Sequence, residues 1–154
     1  MKKYLSIVLI FIAGQAFCQK FIDPAICSYV KEFNKEVEVR GFQISKNITC
    51  IKFPNHYEDS VFRFDHYNPS WSGVVVENIN NKEKGVFFNA KVWYMSDETG
   101  KEMMVFHELF HAYFNIPHSD NEVIMKACPT NAECIYYKNH KKEILDKIFK
   151  SIHG

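Results

Sequence analysis

"VFHELFHAYFNIPHSDNEVIM", residues 105–125, sets three histidines and Glu108 among mostly apolar neighbours. Upstream the run continues as "EMMVFHELFHAYF", 102–114. Beyond Glu102 its only ionisable groups are His107, Glu108, His111 and the phenol of Tyr113. A helix apolar nearly all round is a buried helix. Two imidazoles and a carboxylate inside it would cost several kcal/mol unless something compensates them. At about 100° per residue, positions i and i+4 stand one above the other. His107 and His111 can therefore turn a ring nitrogen toward a single ion, and zinc favours neutral imidazole. Glu108 lies one position round the helix, poorly set to be a third ligand from the same turn. It suits the general-base role that His-Glu-x-x-His performs in zinc peptidases, taking a proton from a water held by the metal.

Two helical histidines require one more protein ligand. "NIPHSD", 115–120, offers it. Asn115 tolerates the left-handed conformation that ends helices, and Pro117 forbids their continuation. A reversal there would bring His118 back toward the ion. Asp120, and Glu133 from a later helix, stand as substitutes for His118.

"HELFHAYFNIPHSDNEVIM", 107–125, resembles the active-site segment of metzincins, particularly the matrixin branch, whose pattern is HExxHxxGxxH followed by a methionine turn. The resemblance implies zinc held by His107, His111 and His118, Glu108 as catalytic base and Met125 as the turn methionine. Phe114 stands where that family has glycine, and Pro117 where its third histidine falls, so His118 is one residue late. Residues 89–120, "NAKVWYMSDETGKEMMVFHELFHAYFNIPHSD", are similar to a group of exported bacterial metallopeptidases with the same histidine spacing, Phe110 replacing their glycine. The likeness covers roughly residues 85–126 and implies a metzincin-like fold.

Around this segment the pattern predicts an α+β domain: a small mixed sheet packed on a central zinc-binding helix, with N-terminal and C-terminal helices. Asp23-Pro24 looks like a helix start. The apolar spacing of Ile26, Tyr29, Val30, Phe33 and Val37 continues it until Gly41. "ITCIKF" (48–53), "SVFRFDHY" (60–67), "GVVVENI" (73–79) and "GVFFNAKVW" (85–93) carry strand character, the last two as neighbours. Ser96 or Asp97 can cap the central helix, and "AECIYYKNHKKEILDKIFKSI" (132–152) closes the chain as a charge-laced helix. Residues 55–67 gather His56, Asp59, Asp65 and His66, more simply a solvated loop than a structural metal site. Tyr113, Tyr136 and Tyr137 suit packing better than oxyanion stabilisation. Asn47-Ile48-Thr49 is a glycosylation acceptor only in a glycosylating host.

The chain opens "MKKYLSIVLIFIAGQAFCQK", a positive start and an apolar run too short to span a bilayer. Ala16 and Cys18 fit a signal-peptidase site, so residues 1–18 are expected to be an export signal and 19–154 a single domain. Lipid anchoring at Cys18 fits less well, because Phe17 is bulky. The remaining 136 residues (154 − 18) allow one compact core. Losing Lys2 and Lys3 moves the formal charge from +1 to about −1, which favours neither a nucleic-acid surface nor a polybasic membrane patch. The even set Cys27, Cys50, Cys128 and Cys134 suggests two disulfides, by proximity Cys27–Cys50 and Cys128–Cys134.

The expected protein is an exported, periplasmic or secreted, zinc metallopeptidase carrying one catalytic zinc and acting on peptide or protein substrates. A strand such as "GVFFNAKVW" would hold substrate beside the cleft. Two alternatives stand beside it. One is a non-catalytic binding module stiffened by zinc or disulfides; the other is a zinc hydrolase of non-peptide amides.

Overall fold

The computed structural model describes residues 22–44, 48–54, 72–77, 83–127 and 129–152. Residues 1–18, expected above to be an export signal, residues 55–67, Asn47 and Cys128 lie outside them.

Helix α1 spans Cys27–Val39 and buries Val30, Phe33 and Val37, three of the positions whose spacing predicted it. Asp23 opens the preceding turn: its carboxylate accepts the Ala25 N–H at 2.9 Å and its carbonyl accepts those of Ile26 and Cys27. Gly41, at φ 78°, ends the helical path with a conformation that L residues avoid.

Three strands follow: β1 Ile48–Lys52, β2 Gly73–Glu77 and β3 Lys84–Phe88. Their order is β1-β3-β2, with β1 parallel and β2 antiparallel to β3. Ile22 adds a parallel bridge to Ile51 on the far side of β1. Central β3 buries Val86, Phe87 and Phe88. It is paired along both edges, so it cannot accept a further strand, contrary to the expectation for residues 85–93. The second half of that stretch is not strand at all. Asn89 accepts the N–H groups of Lys91 and Val92 with its side chain and starts helix α2, Ala90–Met95. An N-cap outweighs the β-propensity of Val92 and Trp93.

Helix α3, Glu98–Phe114, is capped by Asp97, whose carboxylate accepts the Gly100 N–H at 2.8 Å. It runs through the centre of the molecule and is buried from Met103 to Phe110. Phe33 of α1 meets Phe106 and Phe110 edge-on, each at 5.1 Å between ring centroids. On the other flank Phe149 of helix α4, Asn131–Ile152, meets Phe110 at 5.3 Å. Edge-to-face rings lock the relative rotation of the three helices as well as burying area. A 3₁₀ turn, Val123–Met125, joins α3 to α4 and buries Ile124 and Met125.

The domain is therefore α+β, with a three-stranded mixed sheet and four α-helices among the described residues. No described helix is long and apolar enough to cross a membrane. The disulfide pairing by proximity is overturned: Cys27 is disulfide-bonded, but Cys50 and Cys134 remain thiols. Cys50 lies in β1, in register with Gly85 of β3, as a thiol.

Candidate metal centre

The second half of α3 and the chain reversal after it build the site. Asn115 closes the helix in the left-handed conformation, φ 53° and ψ 32°, as its position before Pro117 predicted. Lys84 fixes this end from β3, donating through Nζ to the Ala112 carbonyl at 2.9 Å and to Asn115 Oδ1 at 2.6 Å. A cation at the end of a helix meets the negative pole of its dipole as well as its orphan carbonyls. Beyond His118 the loop is closed by a 3.0 Å bond from the Ser119 N–H to the Met125 carbonyl. His118 is thus delivered by a turn held at both ends.

His107, His111 and His118 come together, each offering one ring nitrogen within 4.8 Å of the others. His107 is buried, His111 half-buried and His118 exposed. Between Nε2 atoms the separations are 3.0 Å for His111–His107 and 3.1 Å for His107–His118. Tetrahedral ligands at about 2.0–2.1 Å from an ion stand roughly 3.3 Å apart, so the spacing is close to what one metal needs.

The proton positions sharpen this. His107 Nδ1 lies 2.7 Å from the Ile124 carbonyl, and His111 Nδ1 contacts the Ile116 carbonyl. A carbonyl only accepts, so both Nδ1 atoms carry the proton and both Nε2 atoms carry a lone pair. Even with His118 donating from its own Nε2, the pair His107–His111 would still face lone pair to lone pair at 3.0 Å. Protonation is an unfavourable remedy. Burial first, then the neighbouring imidazoles, pull the His107 pKa down to about 4, and burial lowers that of His111. A cation resolves the conflict without protonating either ring, and backbone carbonyls on Nδ1 are the usual support of metal-ligating histidines.

Glu108 completes the chemistry. It is 4 % exposed, and Oε1 stands 3.9 Å from His107 Nε2. The carboxylate accepts no hydrogen bond among the described residues. Burial pushes its pKa up to about 8, so with His107 neutral the two do not form an ion pair. A carboxylate this buried costs free energy to ionise unless a positive charge or a proton comes to it. A divalent ion at the three histidines fits that demand as well.

The two substitute ligands are not in this cluster. Glu133 closes a capping box at the start of α4: Oε2 accepts from Thr130 N at 2.7 Å, and Thr130 Oγ1 accepts from Glu133 N at 3.4 Å. Its other oxygen is paired with Lys126. Asp120 is exposed and outside the group. Tyr137 is buried and donates to Glu102 at 2.7 Å, tying α4 to α3.

Next to His107 a cavity of about 280 Å³ opens between α3 and α4, walled by Met103, Met104, His107, Ile124, Lys126 and Cys134 among others. Sequence pattern missed Lys84, the two carbonyls and Gly73 (whose backbone lies against Glu108), because each comes from a distant part of the chain or from backbone. The Thr130-x-x-Glu133 box was legible as a helix start and would have removed Glu133 from the ligand set. Compared with known proteins, the chain matches no protein-family model, no curated protein and no solved structure.

Proposed function

We propose that this chain is an exported zinc-dependent peptidase of metzincin-like build, with His107, His111 and His118 as ligands and Glu108 as general base. The observation that carries it is the convergence of three imidazole nitrogens beside a buried carboxylate that accepts no hydrogen bond among the described residues. The likeness of residues 107–125 to the metzincin active-site segment supports it. Zinc bound there would supply Lewis acidity toward a water and a peptide carbonyl. Glu108 takes the proton of the attacking water and later gives it to the leaving amine. Its apolar surroundings raise its basicity toward neutral pH, where a general base works best. Ile124 and Ile116 hold the ligand rings in the tautomer that leaves Nε2 bare. β2 is an edge strand among the described residues and begins against Glu108, so it is the strand suited to pair with an extended peptide. The neighbouring cavity has room and apolar walls for one substrate side chain.

The test is elemental analysis of residues 19–154 beside the His118→Ala variant, followed by a peptide-library digest. About one zinc per chain, sharply reduced in the variant, with peptide cleavage in the wild type, is the expected result. A folded, zinc-loaded protein inert across a diverse library would leave the site a structural one or turn it toward non-peptide amides.

A further inference from the structure

Gly73 is where a sheet edge and the Glu108 side chain meet. A Cβ built on Gly73 would stand 2.7 Å from Glu108 Cγ and 2.9 Å from both Cδ and Oε1. Non-bonded carbons settle at about 3.5–4.0 Å, so any side chain at position 73 must displace something. The strand is poorly able to yield. Gly73 pairs with Phe88 of β3, and the Ser72 carbonyl accepts a 2.9 Å bond from Asn89 N, the buried cap of α2. The helix is no freer, since Glu108 lies in its most buried stretch between His107 and Leu109. What remains is rotation of the Glu108 side chain.

We infer that Gly73 is a positioning residue for Glu108: its bare Cα lets β2 lie flat against that side chain and holds the carboxylate 3.9 Å from His107 Nε2. This deepens the proposed function and rests on it. The requirement is steric, so alanine fails where glycine serves although both suit an extended backbone. Since β2 is an edge strand among the described residues, a peptide paired along it lies in fixed register with the carboxylate.

The experiment is Gly73→Ala in the zinc-loaded protein, with Val39→Ala at the exposed end of α1, away from the site, as the control. Gly73→Ala is expected to keep zinc near one per chain and to lower kcat about a hundredfold, moving KM less than about threefold, while the control keeps its kcat. In the metal-free protein, Gly73→Ala lowers Tm, and adding Glu108→Ala restores part of the loss because Cγ, Cδ and Oε1 are gone. An unchanged kcat overturns the inference, as does zinc lost together with activity. If Gly73→Ala does not fold, the double variant decides: a folded double variant supports the contact, an unfolded one overturns it. If the wild type cleaves no peptide, the peptidase proposal fails by itself. The visible spectrum of the cobalt(II)-loaded protein then tests Gly73. A changed band at unchanged cobalt content supports the positioning role, and an identical spectrum overturns it.

Discussion

Two glutamates on either side of the His118 turn show how differently one residue type is used. Glu133, in the first turn of α4, is satisfied on every side. Lys126 and the two donors of Thr130 engage its carboxylate, and together, Lys126 foremost, they hold its pKa down to about 2. Glu108, midway along α3, accepts no hydrogen bond among the described residues and is pushed up to about 8 by burial. The first is stitched into the scaffold; the second is bonded to none of the described residues. Buried carboxylates with a raised pKa and no bond among the described residues mark candidate functional sites, which makes Glu108 the more informative of the two.

The largest effect that can break this contrast is at the ligands. His107→Ala removes an Nε2 at the centre of the cluster and the Ile124 contact with it, so zinc per chain should fall from about one to near zero by elemental analysis. If Glu133→Ala empties the site instead, the roles of the two glutamates are reversed. Next comes Glu108→Gln. Zinc content should stay, while kcat falls by about 10²–10⁴. Glu133→Gln should leave kcat unchanged in the same assay.

The contrast also marks what was legible in the sequence. His107, Glu108 and His111 were visible because a helix has a fixed period, and His118 followed from the end that Asn115 and Pro117 impose. α1, α3, α4, β1 and β2 followed from apolar spacing and caps. Other features depend on contacts between distant segments. Lys84 reaches the end of α3 from a strand, Gly73 reaches Glu108 from another, and neither has a local pattern to announce it. The error over residues 89–93 had a local cause, since Val92 and Trp93 suit a strand while Asn89 caps a helix. The cysteine pairing failed because nearness along the chain says little about nearness in the fold.

Lys84 provides an intermediate test, because it acts on His118 only through the turn. Lys84→Met removes the bonds to Ala112 and Asn115 but keeps an apolar stem of similar length. Zinc affinity, measured by competition with a chelator, should weaken about tenfold, as for other supporting contacts of metal sites. The metal-to-protein ratio at saturation should be unchanged. An affinity equal to wild type would mean that Asn115 and Pro117 fix the turn without help.

The smallest effect isolates the charge on Glu133. Glutamine serves in a capping box almost as well as glutamate, so Glu133→Gln keeps the Thr130 bonds and removes only the pairing with Lys126. The folded-state pKa of Glu133, about 2, lies below its ordinary value of 4.5. Between those values the unfolded chain binds more protons than the folded one, so stability rises with pH. The contribution is fully present above about pH 4.5 and fades as pH falls toward 2. Wild type should therefore melt slightly above Glu133→Gln at pH 7, by no more than about 2 °C for a half-buried pair at the surface, and the gap should close in acid. It should also narrow in high salt, which screens Lys126. A gap that widens as pH falls would mean that the carboxylate is favoured in its protonated form, as at Glu108, and the contrast between the two glutamates would collapse.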